Sequence, residues 1–138
     1  MRVAEVEWVK FMDVEWWSRV LIDSVSRCAP EATASTTFHP RVDVAIRFQI
    51  DSGDPWIEAR LSSPITWLVL DTGLVVGPLF FAENRVPTAL DWEVDLEMME
   101  DIATVCCNFL QGKGVEYKWL WRRGLRVECK PGEYWLFS

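Results

Sequence analysis

Between Arg41 and Asp51, hydrophobic and polar residues alternate almost without fault. Val42, Val44, Ile46, Phe48 and Ile50 fall on one parity, and Arg41, Asp43, Arg47, Gln49 and Asp51 on the other. Successive strand side chains point to opposite faces, so this stretch predicts a strand with one face buried. Asp51-Ser52-Gly53-Asp54-Pro55 has turn chemistry, which predicts that Trp56 to Leu61 returns antiparallel. After Ser63-Pro64 come two apolar runs, Ile65 to Leu70 and Leu74 to Phe81, joined by Asp71-Thr72-Gly73. Their continuous apolarity is that of central strands covered on both faces. Gly77-Pro78 inside the second run predicts a bulge or the strand's exit.

Two stretches carry helical spacing instead. Val14, Trp17, Leu21, Val25 and Cys28 recur at intervals of three and four, with Asp13 placed to cap the first turn and Pro30 to end the helix. The longer helix runs from about Thr88 to Gly112. Trp92, Leu96, Met99, Ala103, Cys106 and Leu110 form its stripe, and Met98, Ile102, Val105 and Phe109 widen it. Gly112-Lys113-Gly114 supplies the stop. Strand composition also appears at Val3 to Phe11, at Val115 to Trp121, at Leu125 to Cys129 after a turn at Arg122-Arg123-Gly124, and at Glu133 to Phe137. Glu31 to His39 has no clear period and reads as a surface connection.

Strands grouped in hairpins, with helices not alternating regularly between them, predict an α+β fold: a mostly antiparallel sheet of about six to eight strands, with two helices, the longer packed across the sheet. A length of 138 residues fits one globular domain. Acids follow Met1 closely, and no apolar run reaches the roughly 18 residues of a membrane helix. The expectation is a cytoplasmic protein without membrane attachment.

Charge is laid out unevenly. Residues 1–112 hold 8 Lys+Arg against 18 Asp+Glu, or −10, while residues 113–138 hold 6 against 3, or +3, in agreement with the overall −7. Such a field repels nucleic acid and steers a cationic partner, and it also keeps a small domain soluble. In the tail, Tyr117, Trp119 and Trp121 alternate with Lys118 and Arg122, a pattern able to stack single-stranded nucleic acid. The net charge makes nucleic acid the less favoured partner.

Leu68-Val69-Leu70-Asp71-Thr72-Gly73 resembles the motif by which retroviral-type aspartic proteases place one catalytic aspartate per subunit. The resemblance implies two carboxylates sharing a proton across a homodimer. It departs at Leu74, where that family carries a small residue, and the long helix has no counterpart in a compact all-β protease. Asp and Gly also serve a tight hairpin turn for backbone reasons, and that is the reading adopted. His39, the single histidine, precedes Pro40 in a polar connection and has no nucleophile identifiable by spacing. Cys28, Cys106, Cys107 and Cys129 form no C-x-x-C pair, and adjacent helical residues point about 100° apart, so reduced, buried thiols are expected. The acids around Asp91 to Glu97 lack the glycine bend of a calcium loop. No catalytic residue, metal or cofactor is expected.

What remains points to binding. The nine tryptophans exceed what the apolar stripes absorb: Trp17, Trp67, Trp92 and Phe109 read as core, whereas Trp8, Trp16, Trp56, Trp119, Trp121 and Trp135 are not all accommodated inside. The expectation is a non-catalytic protein-binding domain, an immunity or antitoxin-type inhibitor that blocks a basic toxin or effector. Its contact residues would be Asp91, Glu93, Asp95, Glu97, Asp101, Trp56, Trp119 and Trp121. The alternative is a small-ligand-binding or enzymatic α+β domain, with a pocket between sheet and long helix lined by Trp67, Trp92, Met99 and Trp119.

Overall fold

A computed structural model describes residues 14–38, 44–50, 55–62, 65–80 and 89–138. Helix α1 (Val14–Cys28) leads into a five-stranded antiparallel meander: β1 (Thr33–Phe38), β2 (Val44–Gln49), β3 (Trp56–Ser62), β4 (Ile65–Leu70) and β5 (Val75–Phe80). Helix α2 (Ala89–Leu110) follows, then a three-stranded antiparallel sheet of β6 (Val115–Trp119), β7 (Arg122–Lys130) and β8 (Glu133–Phe137). This is the expected α+β fold with antiparallel sheet. The strand expected at Val3 to Phe11, the Asp13 cap and His39 lie outside the described residues.

Alternation in β2 orients the meander. Val44, Ile46 and Phe48 are buried, and their register partners Leu61, Ala59 and Ile57 on β3 are buried with them. On β4 the same inner face carries Thr66, Leu68 and Leu70. Helix α1 lays Trp17, Leu21 and Val25 into this core. α2 contributes Met99, Ile102, Val105 and Cys106, packing against α1 and against β7, whose Val127 and Cys129 are buried beside it. The helices thus cover the inner faces of both sheets. Complete burial of side chains such as Phe48 or Leu68 stabilises by about 1.5–3 kcal/mol each, which is why the inward stripe fixes the register.

Several sequence expectations are corrected. Glu31 to His39 is not a plain connection but contains β1; Thr, Ser and Ala on an edge strand show no alternation because neither of its faces is deeply covered, and Thr33 to Thr37 are all exposed. The strands β4 and β5 are not covered on both faces, and Trp67 is exposed rather than core. The β6–β7 hairpin turns at Leu120-Trp121, not at Arg122-Arg123-Gly124. Leu120 takes the positive φ of 57° that the tight turn requires. Gly124 lies within β7 for a different reason: a Cβ there would stand 2.4 Å from Tyr117 Cζ. Gly77 acts similarly beneath the Trp67 ring, where the β4–β5 register shifts as the Gly77-Pro78 pair suggested.

The cysteines are also corrected. Cys28 and Cys107 form a disulfide with Cα atoms 6.2 Å apart, while Cys106 and Cys129 are free and buried. The partners lie 79 residues apart in sequence, so only the packing of α1 on α2 brings them together. No local spacing could signal it.

Candidate functional site

The two sheets meet edge to edge. Val75 N donates to Ser138 O at 3.3 Å and Ser138 N donates to Val75 O at 3.2 Å, the reciprocal exchange of an antiparallel pair. Because side chains in register share a face, the outer face of the meander continues onto that of β6–β8. Arg47, Glu58, Val69 and Val75 form one cross-strand row on it, and Ser138 extends the row toward β8.

No helix among the described residues packs on this outer face. The large hydrophobics left exposed collect there: Trp67, Val75, Val115, Tyr134 and Leu136, the last 55% accessible. Leu120 and Trp121 add the tip of the β6–β7 hairpin, with Trp121 83% accessible. A solvated helix face or a lone exposed leucine would need no explanation, whereas a run of apolar side chains on one sheet face, uncovered among the described residues, is the kind of patch that interaction surfaces present.

Among the described residues its charge is cationic. Register places Arg47, Arg60, Arg122 and Arg126 outward, against Glu58 and Glu128. Arg47 lies over the Trp56 ring at 3.9 Å and also contacts Glu58 at 3.6 Å, while Arg60 Nε donates to Glu58 at 2.9 Å. Arg126 sits 5.0 Å from the Tyr134 ring. Stacking and pairing hold these guanidiniums in place at little further entropic cost, leaving their remaining donors available to an incoming carboxylate.

The acids expected to share a face with the tryptophans stand on the helix layer instead. Glu97 and Asp101 are one turn apart on α2, and Lys130 at the end of β7 contacts both, through an ion pair with Glu97 and at 3.4 Å from Asp101. The hydrogen bond to Glu97 pushes the Lys130 ammonium up to about 12. Asp101 moves up from 3.8, because partial burial outweighs the opposing pull of Lys130. Asp91, Glu93 and Asp95 occupy the first turns of α2, and their side chains lie outside the described residues, as does the ring of Trp119. Of the expected contact residues, Trp56 belongs to the outer face and Trp121 to its hairpin tip, whereas Glu97 and Asp101 form a separate group.

The expected pocket does not assemble from its named residues: Met99 is buried in the core under the inner face and Trp67 stands on the outer one. Asp71 occupies the β4–β5 turn, its N–H donating to Trp56 O at 3.1 Å, in the backbone role adopted for Asp71-Thr72-Gly73. No group of three or more potential metal ligands occurs among the described residues, and no helix there is long and apolar enough to cross a membrane. Sequence reasoning missed Val115, Tyr134 and Leu136; alternation within β8 could have flagged the last two, but not which parity faced outward. Compared with known proteins, the chain matches no family model, no curated protein and no solved structure.

Proposed function

We propose that this chain is a non-catalytic protein-binding domain whose contact surface is the outer face of the joined sheet together with the Leu120-Trp121 hairpin tip. The observation that carries this reading is the gathering of exposed aromatic and aliphatic side chains with arginines on one face that no helix covers among the described residues. Tryptophan, tyrosine and arginine are the side chains that most often dominate interface energetics, and Trp121 is positioned to fill a pocket on a partner. The arginine excess selects a partner presenting carboxylates around an apolar centre, opposite in sign to the basic partner that the overall charge suggested.

An inhibitor of a toxin or effector is one form this binding can take. A second reading keeps a basic partner and assigns the contact to α2, where Glu97 is 54% accessible on its side chain and Glu100 is exposed. That partner's cations would have to displace Lys130 from Glu97 and Asp101. Cytoplasmic residence remains part of the proposal, and in that compartment the Cys28–Cys107 bond meets thiol reductants.

The test compares captures by the wild-type chain with those by Leu136→Ser combined with Trp121→Ala, and by Glu97→Lys, from an extract of the native cells. A protein retained by the wild type and Glu97→Lys but lost by the double variant supports the sheet face. Loss with Glu97→Lys alone moves the contact to α2.

A further inference from the structure

Cys28 is the last residue of α1, and Cys107 lies within the last turn of α2. Two observations separate their bond from an inert staple. First, Cys28 is an exposed residue while Cys107 is buried, so a reductant approaching from solvent meets the Cys28 end of the bond. Second, each sulfur already has a carbonyl acceptor: Cys28 Sγ lies 3.4 Å from Ser24 O and 3.6 Å from Val25 O, and Cys107 Sγ lies 3.8 Å from Val25 O. Once the bond is cut the two sulfurs must swing apart from bonding distance, and a thiol at either position then has a helix carbonyl close by to receive its weak hydrogen bond. The acceptors that a reduced pair needs therefore already stand beside the bond.

From this geometry we infer that Cys28–Cys107 is a reversible redox joint between α1 and α2, opened by small thiol reductants of the glutathione class. A reductant thiolate attacks Cys28 Sγ, the bond to Cys107 breaks, and Cys107 leaves as a thiolate that takes up a proton. A second reductant thiol resolves the mixed disulfide, freeing Cys28 as a thiol. The protein gains two electrons and two protons, and two reductant molecules end as their own disulfide.

Cys106 and Cys129 do not compete, since burial raises both thiols above their ordinary value and keeps them protonated at neutral pH. The consequence falls on α1. Beyond its apolar stripe, the end of this helix is held to α2 by Gln111 Nε2 donating to Cys28 O at 2.9 Å and by the disulfide. Reduction removes the covalent tie and lowers the cost of local opening, so the joint sets how firmly α1 covers the core beneath it.

The experiment equilibrates the full chain in glutathione buffers graded from reducing to oxidising, approached from both ends. Alkylation with mass analysis reads the thiols, and hydrogen exchange reads the helices. The expected result is a Cys28–Cys107 linkage that forms and opens at the same buffer composition from either direction. Amides of α1 should exchange roughly tenfold faster in the reduced form, with the β-strands little changed. Cys28→Ser, at an exposed position, should exchange like the reduced chain in every buffer. A linkage that never forms, one that the folded chain does not release to glutathione, or α1 exchange indifferent to redox state would each overturn the inference. So would a Cys28→Ser chain that still responds to the buffer.

Discussion

Val75 and Ser138 exchange both of their backbone hydrogen bonds, and this pair joins a five-stranded meander to a three-stranded sheet. Val75 spends its N–H on Ser138 and none on β4, so a proline there strikes the junction and spares the β4–β5 ladder. Val75→Pro should destabilise the chain by about 1–3 kcal/mol in denaturant titration. Loss of exchange protection at Ser138, with β2 and β3 protected as before, is the accompanying sign.

Thr66 Oγ1 is buried on the inner face of β4 and makes no hydrogen bond among the described residues, which leaves a desolvated hydroxyl among apolar neighbours. Thr66→Val keeps the β-branched shape and removes the unsatisfied group. An increase in stability of about 1–2 kcal/mol is expected from the denaturation midpoint. A loss of similar size would show that the hydroxyl has a partner in solution.

Tyr117 rests on Gly124, with its hydroxyl donating to Phe137 O at 3.4 Å. Gly124→Ala places a methyl group 2.4 Å from Tyr117 Cζ and 2.5 Å from the Phe137 carbonyl oxygen, so the ring must shift and the β7–β8 backbone must give as well. Overpacking of this kind costs about 1–3 kcal/mol, and Tyr117→Ala in the same chain should recover part of it. Simple addition of the two losses would separate the residues.

The Lys130 group gives stability two pH windows. Asp101 holds its proton more tightly folded than unfolded, so stability falls as pH rises from 3.8 through the raised folded value. Lys130 has a folded value of about 12 against 10.5, so its contribution is complete below 10.5 and is lost as pH climbs through 12. Melting temperature against pH for the wild type and Asp101→Asn checks the first window. The acid-side slope should shrink in the variant, and an unchanged slope would assign it to other carboxylates.

Strong periodicity made much of this fold legible. Alternation through Val44, Ile46 and Phe48 marked the core face of β2, and four-three spacing through Trp17, Leu21 and Val25 marked that of α1. Strand β1 was hidden because an edge strand of Thr, Ser and Ala exposes both faces, leaving no contrast to read. The turn at Leu120-Trp121 was hidden because a leucine, not a glycine, takes the positive φ, while the nearby Gly124 answers to Tyr117. For the site, the surplus of tryptophan pointed to an exposed aromatic surface. Which charges accompany those rings depends on side-chain direction across two sheets that one backbone pair joins, and that pairing of distant residues has no local signature.

The sheet face and the acidic helix predict different layers of the molecule against the partner. A photo-crosslinking phenylalanine analogue at position 121, on the hairpin of the sheet face, is compared in the native cells with the same analogue at position 100, on exposed α2. A covalent adduct to one protein from position 121, absent from position 100, is the predicted result. Adducts from position 100 with none from position 121 would place binding on the acidic helix and rule out the sheet face.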